Sequence, residues 1–229
     1  MLGIEESKGS ASPVAFSTDS WDTIVSAVKS GDTSVYKVGD TKEIDMGDYG
    51  THTLRIANMS TPNECSTTGF SQSACGFVLE FADIITEHAM NDTKTNAGSW
   101  PASSMRTFVN NDIYNSLPSE LKNGIIDTTV VSGHGYEDTE NFTSTDKLYL
   151  LSTAEVWADA VSSSNTIKKE LNNIEIFSLP APMPTPTYFI SDDSARNVTR
   201  QLDYYKNLGV TTTNYSGAIK ESGITDSYW

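Results

Sequence analysis

The sequence is short of cations. Fifteen Lys and Arg stand against thirty Asp and Glu in 229 residues, giving a formal net charge of −15 and a pI near 4.4. A surface this acidic repels phosphate backbones and anionic lipid, which argues against nucleic acid as a partner and against docking on a membrane surface. It favours solubility, a bound cation or a basic partner. Long apolar runs are missing as well. None approaches the ~20 residues of a membrane span, so membrane insertion is not expected. Residues 1–13 lack the basic-then-apolar layout of a signal peptide. The Ser/Thr/Asn-rich, Lys-poor composition nonetheless fits a secreted or cell-surface protein whose signal is absent from this chain.

Cysteine and histidine are scarce, and that narrows the chemistry. Cys65 and Cys75 lie ten residues apart across a Ser/Thr/Gly-rich stretch that reads as a loop closed by a disulfide. The alternative is two reduced, buried thiols. Structural zinc needs four ligands, which this pair does not supply. His52, His88 and His134 are too far apart in sequence for a His-x-x-x-His pair or a His-Glu-x-x-His motif. No serine sits in a Gly-x-Ser-x-Gly elbow. No catalytic residue is nominated.

What is present is a folded core. Ten Tyr, eight Phe and four Trp accompany 37% hydrophobic residues, and the length is ample for one large domain. Residues 1–16 read as a flexible lead or linker, and 17–229 as a single module. Trp21, Ile24, Val25 and Val28 fall at helical spacing, with Asp19 or Ser20 able to cap the start and Gly31 the end. The runs 35–38, 42–46 and 51–57 alternate as a small antiparallel meander, with Leu54 and Ile56 on one face and Thr53 and Arg55 on the other. Residues 77–85 fit a helix through Phe77, Phe81, Ile84 and Ile85 or a strand through Phe77, Leu79 and Phe81, and the preceding glycine and aromatic content favour the strand; 100–111 and 119–123 are read as helices, and 125–131 and 147–151 as core strands. A short helix is expected over 153–160 and a longer one over 192–207. A proline-rich extended crossing spans 178–187, and a strand begins at 225–229.

The most site-like loop runs over 131–138. Its glycines would let the backbone approach a ligand, and His134 with Asp138 could form an acid–base pair; the plainer reading is a glycine-rich turn. Residues 137–146 pack four acidic side chains and an asparagine, the hard oxygen ligands calcium takes, but without the EF-hand pattern. Calcium is therefore the one cofactor weighed, against a solvated acidic loop. Trp100, Trp157 and Trp229 could stack on a sugar face, although Trp100 and Trp157 sit where packing is the simpler role. Arg106 is expected in a structural ion pair.

Several stretches carry a family resemblance: Trp21 with its helix, Val38 to Asp40, residues 50–57, residues 98–106, Asn110, and residues 147–156. Together they span roughly 18–229. The chain resembles a widespread module of unknown function in surface and phage-like proteins of gut bacteria. The resemblance implies an α+β fold similar to C-type lectin-like and sulfatase-modifying-factor-like domains, with antiparallel sheets and several short helices. The family pattern continues past Tyr228 and Trp229, so the final strands are expected to be lacking. The function expected is extracellular ligand binding or adhesion to a glycan or protein surface, through His134, Asp138 and Trp229. The alternatives are an acid–base hydrolase using His134 and Asp138, and a structural piece of a larger surface or phage-tail protein.

Overall fold

Ser20 opens the first helix because its hydroxyl accepts the Thr23 N–H at 3.2 Å. Gly31, at φ 77°, closes it by donating to the Ala27 and Val28 carbonyls. Between them α1 (Trp21–Ser30) forms on the apolar spacing in the computed structural model, which describes residues 11–134, 138–158, 195 and 197–220. Trp21 and Ile24 are buried, and Phe16 packs edge-on against Trp21 and Tyr36, so the core begins at Phe16.

β1 (Thr41–Asp45) and β2 (Thr51–Asn58) pair antiparallel, and β2 pairs antiparallel with β3 (Val78–Phe81), giving the order β1-β2-β3. His52, Leu54 and Ile56 are buried on one face of β2, while Arg55 stands opposite Glu80. The alternation expected for this run is the one observed. A bulge between Ile56 and Asn58 adds a residue to β2, and both Ala57 and Asn58 are fully buried there. The run 35–38 is not a strand. Tyr36 N–H donates to Thr33 O, and the Asp40 carboxylate takes the Lys37 N–H at 2.9 Å, so local turn bonds replace a ladder.

The helix expected over 100–111 is interrupted. α2 (Ser99–Ala102) ends at Ser103, whose extended backbone starts α3 (Ser104–Phe108) and whose Oγ accepts the Arg106 N–H. The chain then passes through a π turn (Val109–Ile113) into α4 (Tyr114–Ser116) and, after Pro118, α5 (Ser119–Lys122). A Cβ on Gly124 would lie 2.2 Å from Val25 Cγ2, so only glycine lets this corner pack on α1.

β4 (Thr128–Ser132) and β5 (Phe142–Asp146) form a two-stranded antiparallel sheet. This corrects two expectations. Part of the stretch read as an acidic loop is a strand, and 147–151 is not. The Lys147 and Leu148 N–H groups both go to Asn110 Oδ1 at 3.0 Å, which takes them out of any ladder. The strand expected at 125–131 starts later, at Thr128. α6 (Thr153–Val156) follows Ser152, and α7 (Asp203–Asn207) is shorter than the expected 192–207 helix. Among the described part of that stretch, Thr199 and Arg200 instead extend side chains into buried networks. The crossing at 178–187 and the strand at 225–229 lie outside the described residues.

The β1-β2-β3 sheet separates two apolar clusters. The larger joins Phe16, α1, Met46 and Ile56 to Ile113, Leu117 and Leu121. The smaller joins Ala57, Ala74 and Val78 to Leu202, Tyr205 and Val210 around α7. The architecture is thus mixed α+β, with small antiparallel sheets and short helices. Among the described residues no helix is long and apolar enough to cross a membrane.

Cys65 and Cys75 are disulfide-bonded, as their spacing suggests. The enclosed loop carries Ser71 and Gln72, whose N–H groups donate to Val198 O and Thr129 O. Replacing Cys75 with serine is expected to cost about 2–3 kcal/mol through the freer unfolded chain. Urea midpoints of wild type, variant and reduced wild type check this; coincidence of all three would refute it.

Candidate functional site

The acidic side chains that sequence composition made conspicuous are, where buried, spent on holding the fold. Asp146 is 3% exposed. Its Oδ2 accepts from Trp100 Nε1 at 3.0 Å and from Ser144 Oγ at 2.6 Å, and its Oδ1 accepts from Arg106 Nε at 2.6 Å. The expected structural ion pair of Arg106 is therefore this one. The Trp100 ring is sealed in place and offers no face to a sugar.

Glu155 ends a directed chain of hydroxyls. Val131 N–H donates to Ser71 Oγ, and Ser73 donates its one hydroxyl hydrogen to Glu155 Oε1, so the 2.7 Å bond between the two serines is donated by Ser71. Thr199 Oγ1 donates to the same oxygen at 3.0 Å, and Ser152 N–H donates to Oε2 at 2.7 Å. Burial pushes the Glu155 carboxyl up, against the pull of these donors. The relay joins the disulfide loop, β4, α6 and the 199–202 segment.

Two further carboxylates tie α7 and its flanks to the sheet. Burial would raise Glu80, but Lys220 and the forked Arg55 hold it below its ordinary range. The Arg55 guanidinium also lies 3.6 Å from the Tyr204 ring centroid. Asp203 accepts from Met59 N–H, Ser60 N–H, Ser60 Oγ and Arg200 Nη2. Burial opposes its ionisation, yet these donors bring its pKa from 3.8 down to about 2. His52 is bracketed by Asp83 Oδ2 at 2.9 Å and Tyr49 O at 2.8 Å.

The loop of His134 and Asp138 meets the turn before α2. Gly98 N–H donates to Asp138 Oδ2 at 2.8 Å, and Ser99 Oγ donates to Gly133 O at 2.5 Å. Gly98 and Ser99 are both left-handed, at φ 72° and 46°, and Ser99 is the only non-glycine there among the described residues. Asp138 thus pins a strained turn. Residues 135–137 and Trp229 lie outside the described residues. Among the described residues no three His, Cys, Asp or Glu side chains converge to hold a metal ion.

Among the described residues an apolar cleft of about 670 Å³ stands open. α1 supplies Val25 and Val28, β3 supplies Leu79 and Phe81, and the π-turned helix supplies Phe108 and Val109. The fourth wall is the segment 147–151, placed by Asn110. The π turn projects that side chain so that Nδ2 donates to Arg106 O and Leu148 O while Oδ1 takes Lys147 and Leu148 N–H. At the mouth Ile126 is 72% and Leu150 44% exposed.

Sequence reasoning missed Glu155, Glu80 and the cleft. Glu155 had a signal: Ser152 followed three positions later by Glu at the start of a helix is a capping-box pattern. The cleft had none, because its four walls come from segments far apart in the chain. No curated protein and no solved structure matches the chain. A family profile described as a domain of unknown function (DUF6273) matches residues 76–228, more than half of the 229 residues, and the chain belongs to that family.

Proposed function

We propose that this protein is a non-covalent ligand-binding module of C-type lectin-like kind, secreted or displayed on a bacterial surface, and that its site is the apolar cleft. The observation that carries this is a contrast. The buried carboxylates are consumed by internal bonds, whereas a cavity of about 670 Å³ stands open with bare apolar residues at its lip. Its volume falls within the roughly 300–1,000 Å³ of small-molecule sites. The disulfide suits an oxidising compartment, and the paired antiparallel sheets with short helices suit the lectin-like architecture. Of the glycan and protein-surface ligands expected from sequence, the glycan is the less suited to this hydrocarbon lining, which favours an apolar ligand group.

The hydrolase alternative has less support, since Asp138 is already engaged by Gly98 N–H. No cofactor forms part of the proposal.

The anionic dye 8-anilinonaphthalene-1-sulfonate tests the reading on the native protein. One dye should bind per chain and raise the melting temperature, because a ligand of the folded state stabilises it. Met105→Trp, which fills the cleft, should abolish binding with little change in the melt. Absence of native-state binding would refute the proposal, as would ester turnover lost in His134→Ala.

A further inference from the structure

The charges around the cleft are unevenly spent. Five of those lining it already have partners: Asp83 is hydrogen-bonded to His52 at 2.9 Å, Glu80 is ion-paired with Lys220 at 2.9 Å and with Arg55, and Asp127 is ion-paired with Lys147 at 3.1 Å. His88 is occupied differently, stacked at 4.1 Å on Phe108 with Nδ1 on Ala89 O. Lys29 also lines the cleft, and its ammonium has no ion pair or hydrogen bond with a described residue. It is exposed and stands four residues after Val25, on the same face of α1, a spacing at which a lysine stem can cover apolar surface with its ammonium in water. Each carboxylate lining the cleft already has a partner, and the lining ammonium without one among the described residues is that of Lys29.

From this juxtaposition we propose that the cleft binds a small amphiphile with one hydrocarbon tail and one anionic head, a medium-chain carboxylate being the simplest case, with the tail among Val28, Leu79 and Phe108 and the head on Lys29. The proposal rests on the binding-module reading and deepens it. Tail burial supplies most of the affinity, and Lys29 supplies the preference for an anion. A chain of net charge −15 disfavours anions at long range, so both elements are needed, and an inorganic anion alone would not bind. An extended anionic bilayer is a poor occupant for the same electrostatic reason.

Calorimetric titration of the full chain with sub-micellar dodecanoate, dodecanol and dodecyltrimethylammonium tests the assignment. Dodecanoate should bind one per chain and tighter than dodecanol, with the ammonium weakest. Lys29→Gln should weaken dodecanoate about threefold and Lys29→Glu about tenfold, leaving dodecanol unchanged. Lys29 is exposed at the end of α1, so both variants should keep the wild-type melt. Equal binding of all three probes, or indifference to Lys29→Glu, would overturn the anionic head while leaving a binding cleft intact. Failure of every probe, with Met105→Trp also without effect, would overturn the cleft reading itself.

Discussion

Asp146→Ala is expected to lower the unfolding free energy by about 3–5 kcal/mol, the usual cost of removing one partner of a buried charge pair. That is a large share of the roughly 5–15 kcal/mol available to a native domain. The carboxylate is the common acceptor of Trp100, Ser144 and Arg106. Without it an indole N–H and a hydroxyl are stranded in a dry site, and the guanidinium loses its counter-charge. Arg106→Ala should cost less, because the Asp146 carboxylate keeps its Trp100 and Ser144 donors, whereas Asp146→Ala strands both. Asp146→Asn should fall between, keeping acceptors for the neutral donors but not the charge. Urea unfolding of the three variants measures the order. A loss below about 1 kcal/mol for the alanine variant would mean that water or another acceptor reaches the site.

Acid and alkali should expose two carboxyls of opposite behaviour. Asp203 has its pKa held at about 2 against the ordinary 3.8, so the folded state binds its proton more weakly than the unfolded chain. Its stabilisation is complete above the unfolded value and is lost as pH falls through that window. Glu80 is displaced in the same direction. Glu155 is displaced upward by burial: its favourable contribution is full below the ordinary glutamate value and fades as pH rises through its higher folded value. Asp203→Asn should therefore be about 2–3 kcal/mol less stable than wild type near neutrality, through lost hydrogen bonds to charge, and should converge with it by pH 2. Glu155→Gln should gain on wild type as pH rises. Denaturant midpoints across pH 2–9 decide it, and curves parallel to wild type for either variant would refute the corresponding assignment.

The elements legible in the sequence were those whose signals are local. α1 has its periodicity and both caps within twelve residues, and β2 has its alternation. Cys65 and Cys75 are close enough for spacing alone to suggest their bond. Errors arose where a side chain from a remote segment claimed the backbone. Residues 147–151 look like a strand by composition, but Asn110 takes two of their N–H groups. The end of the acidic stretch 137–146 looks solvated, but Arg106 and Trp100 pull Asp146 inward. Val35 to Val38 alternates, yet Asp40 bonds back to Lys37 and a turn wins. For the candidate site, Val25 and Val28 were visible as an apolar helix face. Nothing in the chain states that β3 and the π-turned helix would stand off from that face and leave a cavity.

Asn58 sets a timing constraint on synthesis. Its carboxamide oxygen takes Arg200 Nη1 and the Asp203 N–H, 142 and 145 positions later. At ribosomal rates of about 5–20 residues per second, on the order of ten seconds separate the emergence of β2 from that of its partners. During that interval the bulged strand has its local pairings but not its closing contacts. The nascent chain therefore commits to its final packing late, when the segment around Arg200 leaves the ribosome, and an early stall would release a sheet still open on the side that α7 covers.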